Sequence, residues 1–177
     1  IVHTDCYDEF CERIEEELSK KKVGDPLEEA TDVGPLARMD LRDELHRQVT
    51  ESIQKGALCV LGGDLPGGEG AFYPITMLKD VRKGMPAFDE ELFGPVAGII
   101  KAENNNHAVE LANDSPYGLG AAVFSRDEQK ARTVAEKELQ AGCCFVNEFV
   151  RSDPRLPFGG IKESGYGREL SVFGIRE

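Results

Sequence analysis

Residues 96–146 read VAGIIKAENNNHAVELANDSPYGLGAAVFSRDEQKARTVAEKELQAGCCFV, and their pattern decides the expected fold. Apolar runs at Val96–Ile100, Leu119–Phe124 and Ala141–Val146 predict strands, while Asn106–Asn113 and a segment ending near Leu139 predict helices. Ser125 and Glu128 have the spacing of a capping box for the second helix. Strands that are apolar on both faces are typical of parallel sheets covered by helices. The sequence therefore predicts an α/β fold, a three-layer αβα domain with a mostly parallel sheet.

The same alternation of helices and strands extends upstream. The expected elements are the end of a strand at Ile1–Val2, an amphipathic helix over Asp5–Lys20, a second helix over Arg38–Lys55 and a strand over Ala57–Leu61. Downstream, residues 147–174 are rich in glycine, proline and charge. A segment of this length inside a compact domain predicts an ordered functional loop, with a flexible tail as the alternative. One compact domain is expected for 177 residues.

Charge and composition exclude several classes of partner. There are 33 acidic and 21 basic residues, a net charge of -12, which argues against binding to nucleic acid or anionic lipid. No apolar run approaches the roughly 20 residues that span a bilayer, and no export signal is present, so a soluble cytoplasmic protein is expected. The five cysteines are odd in number and predict reduced thiols. His3, His46 and His107 are far apart and unpaired with cysteines, so no metal site is expected.

Three motifs in order carry a resemblance to a known family. They are EELFGPV at 90–96, NDSPYGL at 113–119 and PFGGIKESGYGRE at 157–169, and VGDP at 23–26 and GPL at 34–36 fit the same pattern. Together they resemble the aldehyde dehydrogenase superfamily over essentially the whole chain. The stretch 37–49, with DLRDELH at 40–46, and the ending at 167–174 resemble the succinate-semialdehyde dehydrogenase branch.

The resemblance implies an incomplete enzyme. Residues 1–177 are expected to be the C-terminal part of a catalytic domain, with the cofactor domain and the nucleophilic cysteine upstream and the oligomerisation strand downstream. The whole enzyme would use NAD or NADP to oxidise an aldehyde to its acid, as a homodimer or homotetramer, and the resemblance to this branch implies succinic semialdehyde as the aldehyde. The isolated chain is expected to be inactive. The alternative is a non-catalytic folded module derived from the family.

By resemblance, two residues of the first motif bind the cofactor. Glu91 matches a glutamate that accepts hydrogen bonds from hydroxyls of the nicotinamide-side ribose, a task suited to the two oxygens of a carboxylate. Phe93 matches a ring that packs near the same ribose. The alternatives are a solvated loop carboxylate for Glu91 and a core side chain for Phe93.

The substrate tunnel is expected downstream. Phe158 resembles an aromatic that walls the tunnel, with simple packing as the alternative, and Gly159 and Gly160 would allow close approach of the backbone. Ser152 falls at a tunnel-lining position where a hydroxyl could donate to a substrate carboxylate. Arg151 or Arg155 could supply a compensating charge, with simple surface exposure as the alternative.

The remaining candidates concern proton transfer and thiols. Glu169 matches a glutamate behind the site that helps relay protons, and burial would raise its pKa to suit that role. The alternative is a structural salt bridge to Arg168 or Lys162. Cys59, Cys143 and Cys144 are expected on apolar strands, where burial disfavours the thiolate. Cys6 and Cys11 are expected on a helix among acidic residues, which disfavour it as well.

Overall fold

The computed structural model describes residues 1–176, and its fold class is α/β, as the sequence predicts. The chain divides into two compact units, Ile1–Asn104 and the part from Asn105 onward, where the sequence predicts one domain. Three of the five strand pairings are parallel and two are antiparallel. A mostly parallel arrangement is therefore confirmed, although it is spread over four small sheets.

The first unit is built on a three-stranded sheet. Its elements are β1 (Val2–His3), a 3-10 turn (Thr4–Cys6), α1 (Tyr7–Ser19), α2 (Met39–Gln54), β2 (Leu58–Leu61), β3 (Thr76–Lys79), α3 (Pro86–Asp89), β4 (Val96–Gly98) and β5 (Lys101–Ala102). Strand β3 is central, with β2 antiparallel and β4 parallel to it. Strands β1 and β5 form a separate parallel pair.

Helices α1 and α2 cover opposite faces of this sheet. Met77 on β3 belongs to a buried cluster with Tyr7 of α1, whereas the next residue, Leu78, belongs to a second cluster with Leu45 of α2. Successive side chains of a strand point to opposite faces, so the two clusters lie on the two sides of the sheet. The first unit therefore has the three-layer αβα arrangement that the sequence predicts.

The sequence missed β3 and α3. Strand β3 has four residues, and α3 is a single turn that begins at Pro86. Neither is long enough to show a period of apolar residues that distinguishes a helix from a strand. The pattern of apolar residues therefore did not predict β3, the central strand of the first unit.

The second unit is smaller and more irregular. Its elements are α4 (Asn105–Asn113), β6 (Tyr117–Gly118), β7 (Gly120–Val123), α5 (Glu128–Lys137), β8 (Cys143–Val146), β9 (Ile161–Lys162) and α6 (Ser171–Gly174). Strands β7 and β8 are parallel with α5 packed against both, and β6 pairs with β9 antiparallel. The expected ordered loop over residues 147–174 contains β9 and α6.

The expected capping box at the start of α5 is wrong. Asp127 caps the helix, because its carboxylate accepts the backbone N–H of Lys130 at 3.0 Å. Ser125 lies two residues before the N-cap, and its hydroxyl accepts the N–H of Asp127 at 3.1 Å instead of an N–H of the helix. Glu128 is the first helical residue, so it cannot be the third-position partner that a capping box requires.

A buried tyrosine fastens α1 to the end of the central strand. Tyr7 is 2% exposed, and its hydroxyl donates to Asp80 Oδ1 at 3.1 Å and accepts the Asp80 backbone N–H at 2.9 Å. Asp80 has a φ of 55°, in the left-handed region that ends the strand. The Nζ atoms of Lys79 and Lys101 lie 5.8 and 4.8 Å from the centre of the Tyr7 ring. Burial raises the pKa of Tyr7 to about 12, so the hydroxyl stays protonated near neutral pH.

Replacing Tyr7 by phenylalanine is expected to lower the free energy of unfolding by about 1 to 3 kcal/mol, because the Asp80 N–H and carboxylate lose a buried partner. Urea titration followed by circular dichroism measures this change. Tyr166→Phe is the matched control, since Tyr166 is fully exposed and its substitution should change the free energy by less than about 0.5 kcal/mol. Equal effects of the two substitutions would contradict a fastening role for the Tyr7 hydroxyl.

Candidate functional site

Residues 90–95 present Glu91 and Phe93 on the outside of the first unit. Leu92 packs against the buried cluster around Leu45, whereas Glu91 is exposed and Phe93 is 66% exposed. Inward and outward side chains thus alternate, as in an extended chain. Within residues 1–176 the Glu91 carboxylate has no hydrogen-bond or ion-pair partner. The two predicted cofactor residues are therefore neighbours with open side chains, and the interpretation of Phe93 as a core residue is wrong.

Helix α2 supports this segment at both ends. The Gln48 amide nitrogen lies 2.9 Å from Glu90 Oε2 and 3.2 Å from the carbonyl oxygen of Glu91. At the other end, a Cβ on Gly94 would overlap the Leu45 side chain, so a larger residue would require the buried Leu45 to move. The glycine of the EELFGPV motif thus permits this close packing against α2.

A salt bridge adds a second partner for Glu90. Arg47 Nη2 lies 2.8 Å from Glu90 Oε2, and the same guanidinium also pairs with Glu44 and Glu51. These groups are roughly half exposed, so the ion pairs contribute little to stability. Their geometric effect is to hold the Glu90 carboxylate against α2.

The second and third motifs are joined within the second unit. Lys162 Nζ donates to the carbonyl oxygen of Asn113, the last residue of α4, at 2.9 Å and to that of Ser115 just beyond the helix at 3.0 Å. The hydroxyl of Ser164 accepts the Gly118 N–H at 3.0 Å. Because β6 and β9 also pair, NDSPYGL and PFGGIKESGYGRE form one structural feature.

Glycines let the third motif pack backbone against backbone. A Cβ on Gly142 would collide with the carbonyl oxygen of Gly159, and a Cβ on Gly159 would collide with that of Gly167. Arg168 Nη1 donates to the carbonyl oxygens of Gly160 and Gly167 at 2.9 and 2.6 Å. The expected close approach of the backbone at Gly159 and Gly160 is confirmed.

Phe158 and Glu169 pair directly through their backbones. Each N–H donates to the other's carbonyl oxygen at 2.8 Å, which closes the loop between them. The Glu169 side chain is exposed, and within residues 1–176 it forms no ion pair with Arg168 or Lys162. The expected burial and ion pair are both wrong, because the bridge turns the carboxylate outward while the two cations donate to backbone carbonyls.

A cavity in the second unit collects part of the predicted substrate site. It has a volume of about 540 Å³ and is lined by Arg151, Asp153 and Phe158, together with β8 and α5. Ser152 is exposed between two of these residues, but it is not a lining residue. The structure thus brings Arg151 and Phe158 to one cavity, with Ser152 at its margin.

The two candidate arginines differ in their partners. Arg155 binds both carboxylate oxygens of Asp153 at 2.9 and 2.6 Å, and these bonds hold the pKa of Asp153 well below its usual range. Arg151 is 64% exposed and has a long contact of 3.5 Å with Glu148. Arg151 is consequently the guanidinium that is available for an added anion.

The cysteines have the environment of inert thiols. Burial raises the pKa of Cys11, Cys59, Cys143 and Cys144, as expected for the strand cysteines. Cys11 is 1% exposed, and burial outweighs the charge of Asp8, so acidic neighbours are not the main cause there. Cys6 lies in the 3-10 turn and is exposed.

Two functional supports, Gln48 and Glu90, were not predicted from the sequence. The available signal was a glutamine on the apolar face of α2, between Leu45 and Ser52, where a polar residue needs a partner. Among residues 1–176 there is no group of three potential metal ligands. The helices in that range are also too short or too polar to cross a membrane.

Comparison with known proteins identifies relatives over the full chain. Residues 1–177 match the aldehyde dehydrogenase family. A succinate semialdehyde dehydrogenase [NAD(P)+] of Escherichia coli K12 is 49% identical over 168 residues, which cover 95% of this chain and 36% of the relative. A succinate-semialdehyde dehydrogenase [NADP(+)] of Mycobacterium bovis is 45% identical over 177 residues, covering 100% and 38%.

Solved structures agree with this result. Succinic semialdehyde dehydrogenase from Streptococcus pyogenes in complex with NADP+ has a TM-score of 0.93 and 38% identity, over 98% of this chain and 38% of that one. Betaine aldehyde dehydrogenase from Staphylococcus aureus in complex with NAD+ has a TM-score of 0.93 and 33% identity, over 99% and 35%.

The chain therefore spans little more than a third of the relatives it matches. Coverage does not say which third, so the expected C-terminal position within the catalytic domain stays a prediction. The match over residues 1–177 and the agreement in fold establish the family. The chain belongs to the aldehyde dehydrogenase family.

Proposed function

We propose that the protein carrying this chain is an NAD(P)-dependent aldehyde dehydrogenase that oxidises succinic semialdehyde to its carboxylic acid. The observation that carries the proposal is the open pair of Glu91 and Phe93 in a chain whose relatives are named for this reaction. This chain contributes cofactor-positioning and substrate-recognising side chains.

Glu91 and Phe93 fit the ribose of a nicotinamide cofactor. A partnerless carboxylate offers two acceptor oxygens to the vicinal hydroxyls of a ribose, and the exposed ring of Phe93 offers an apolar surface two residues away. When bound, the nicotinamide supplies a hydride acceptor. Solved relatives include one in complex with NAD+ and one in complex with NADP+, so we propose NAD or NADP as the cofactor.

The cavity beside β8 supports recognition of a distal carboxylate. Arg151 provides a cation at its lining, Ser152 provides a hydroxyl at its margin and Phe158 provides an apolar wall. A guanidinium and a hydroxyl are both donors, and donors are what a carboxylate requires. Glu169 follows at the end of the same loop, where its exposed carboxylate can exchange a proton with bulk water.

Location and assembly are further parts of the proposal. We assign the enzyme to the cytoplasm, in keeping with five free cysteines among the described residues. We also assign it to a homodimer or homotetramer, in keeping with exposed side chains such as Phe149, Phe173 and Ile175 in the second unit, which a partner would cover.

In the protein that carries this chain, Glu91→Gln is expected to weaken cofactor use by about 1 to 3 kcal/mol, since an acceptor oxygen of the ribose site becomes an amide donor. Steady-state kinetics measure the change in the cofactor KM and in kcat. Glu12→Gln, an exposed change on α1, is the matched control. Unchanged kcat and cofactor KM in Glu91→Gln would remove Glu91 from the site, and wild-type protein without turnover or cofactor binding would favour the non-catalytic module.

Selectivity for a charged substrate is expected to depend on Ser152 and Arg151. Ser152→Leu and Arg151→Met should each lower kcat/KM for succinic semialdehyde by roughly tenfold or more relative to butanal, because a charge-assisted hydrogen bond is lost. Ser152→Ala separates the loss of the hydroxyl from added bulk. Arg155→Met is the control for Arg151, since Arg155 is held by Asp153. Equal losses for the two aldehydes would show that these side chains do not recognise charge.

The five cysteines are expected not to act as a nucleophile, so the 177-residue chain alone should not oxidise succinic semialdehyde. At neutral pH, iodoacetamide should label the exposed Cys6 first, and in Cys6→Ser the other four should react more slowly than glutathione, because burial raises their pKa. Mass spectrometry locates the label. Rapid labelling of Cys143 or Cys144, or turnover abolished by one Cys→Ser change, would overturn this assignment.

A further inference from the structure

Gln48 is a buried polar residue at an unusual place. It lies on the face of α2 between Leu45 and Ser52 and is 6% exposed. A buried amide without partners destabilises a protein by about 1 to 3 kcal/mol, so apolar helix faces rarely contain one. The buried Gln48 amide must therefore be hydrogen-bonded, and the identity of its partners indicates what the residue does.

The Gln48 amide donates to two consecutive residues, Glu90 and Glu91, of the segment 90–95 that carries the predicted cofactor-binding side chains. Its nitrogen lies 2.9 Å from Glu90 Oε2 and 3.2 Å from the carbonyl oxygen of Glu91. A primary amide has two N–H groups, and these two acceptors use both of them. Arg47 approaches the same Glu90 oxygen at 2.8 Å from the solvent side of α2.

These contacts fix the backbone of Glu91 while leaving its carboxylate open. The Glu91 carbonyl and the preceding side chain are both held, so the direction of the Glu91 Cα–Cβ bond is set by α2. The carboxylate itself is exposed and has no partner in residues 1–176. A group held in this way loses less conformational entropy when a ligand binds.

We propose that Gln48 is a positioning residue that orients Glu91 toward the ribose of the nicotinamide cofactor. The inference rests on the proposed function and deepens it. Its chemistry requires an amide: methionine has the same length without donors, and glutamate would place a second carboxylate against that of Glu90 and could not donate to the Glu91 carbonyl. Asparagine is one methylene shorter and would not reach both acceptors.

Ser52 provides a matched control on the same helix face. Its hydroxyl accepts the Ala87 N–H at 2.9 Å, which supports the start of α3, and donates to the backbone carbonyl oxygen of Gln48 at 2.7 Å within the helix. Neither bond involves the Gln48 amide, Glu90 or Glu91. Gln48→Met and Ser52→Ala each remove buried hydrogen bonds between α2 and the segment that follows β3. Only Gln48→Met removes the hydrogen bonds to the Glu90 side chain and to the backbone carbonyl of Glu91.

The experiment compares these variants in the protein that carries this chain. The dissociation constant for NADH or NADPH is measured by fluorescence titration, and the cofactor KM, kcat and thermal midpoint are measured beside it. Gln48→Met should weaken cofactor binding by about tenfold, the size expected for one or two lost hydrogen bonds, with a larger effect on cofactor KM than on kcat. Gln48→Met and Ser52→Ala should lower the thermal midpoint by similar amounts. Ser52→Ala, however, should leave the dissociation constant for the cofactor unchanged.

A double-mutant comparison tests whether Gln48 acts through Glu91. If it does, Gln48→Met should add little to the loss already caused by Glu91→Gln. Fully additive losses, or equal losses in Gln48→Met and Ser52→Ala, would overturn the inference and assign Gln48 to stability alone. Wild-type protein that binds neither cofactor would overturn the proposed function itself, and the two failures are therefore distinguishable.

Discussion

The arrangement of the candidate cofactor site depends on one stripe of helix α2. Leu45, Gln48 and Ser52 follow one another at intervals of three and four residues, so they share a face. Ser52 holds the first turn of α3, Gln48 holds Glu90 and Glu91, and Leu45 receives the backbone at Gly94. One rigid element thus holds the segment at three points, and the alternation that turns Glu91 and Phe93 outward follows from that support.

The elements predicted from the sequence are the long amphipathic helices and the strands that form uninterrupted apolar runs. Helices α1 and α2 were predicted within two residues at each end, because a dozen or more residues show the period of a helix clearly. Strand β3 and helix α3 were missed because each has only four residues and neither is an uninterrupted apolar run. The antiparallel direction of β2 was missed for a related reason: it depends on pairing with β3, which lies beyond the glycine-rich stretch after Leu61.

The candidate site shows the same limit at the level of side chains. Glu91 and Phe93 could be named because local motifs resemble those of a family, and their exposure agrees with the expected role. Gln48 could not be named, since its two acceptors lie 42 and 43 residues away along the chain. Glu169 was expected to be buried or ion-paired, but its orientation is set by a backbone bridge to Phe158 that no local pattern encodes.

Different interactions stabilise the interior of each of the two units. The first contains two buried apolar clusters, whereas in the described part of the second unit Ala131 is the only fully buried hydrophobic residue. There the backbone provides the order, through the Phe158–Glu169 bridge and the contact of Gly142 with Gly159. Apolar cores tolerate side chains of similar volume, but a backbone contact leaves no room for any Cβ. Gly159 and Gly160 of the third motif are therefore structural requirements, because a Cβ on either would collide with a backbone carbonyl oxygen.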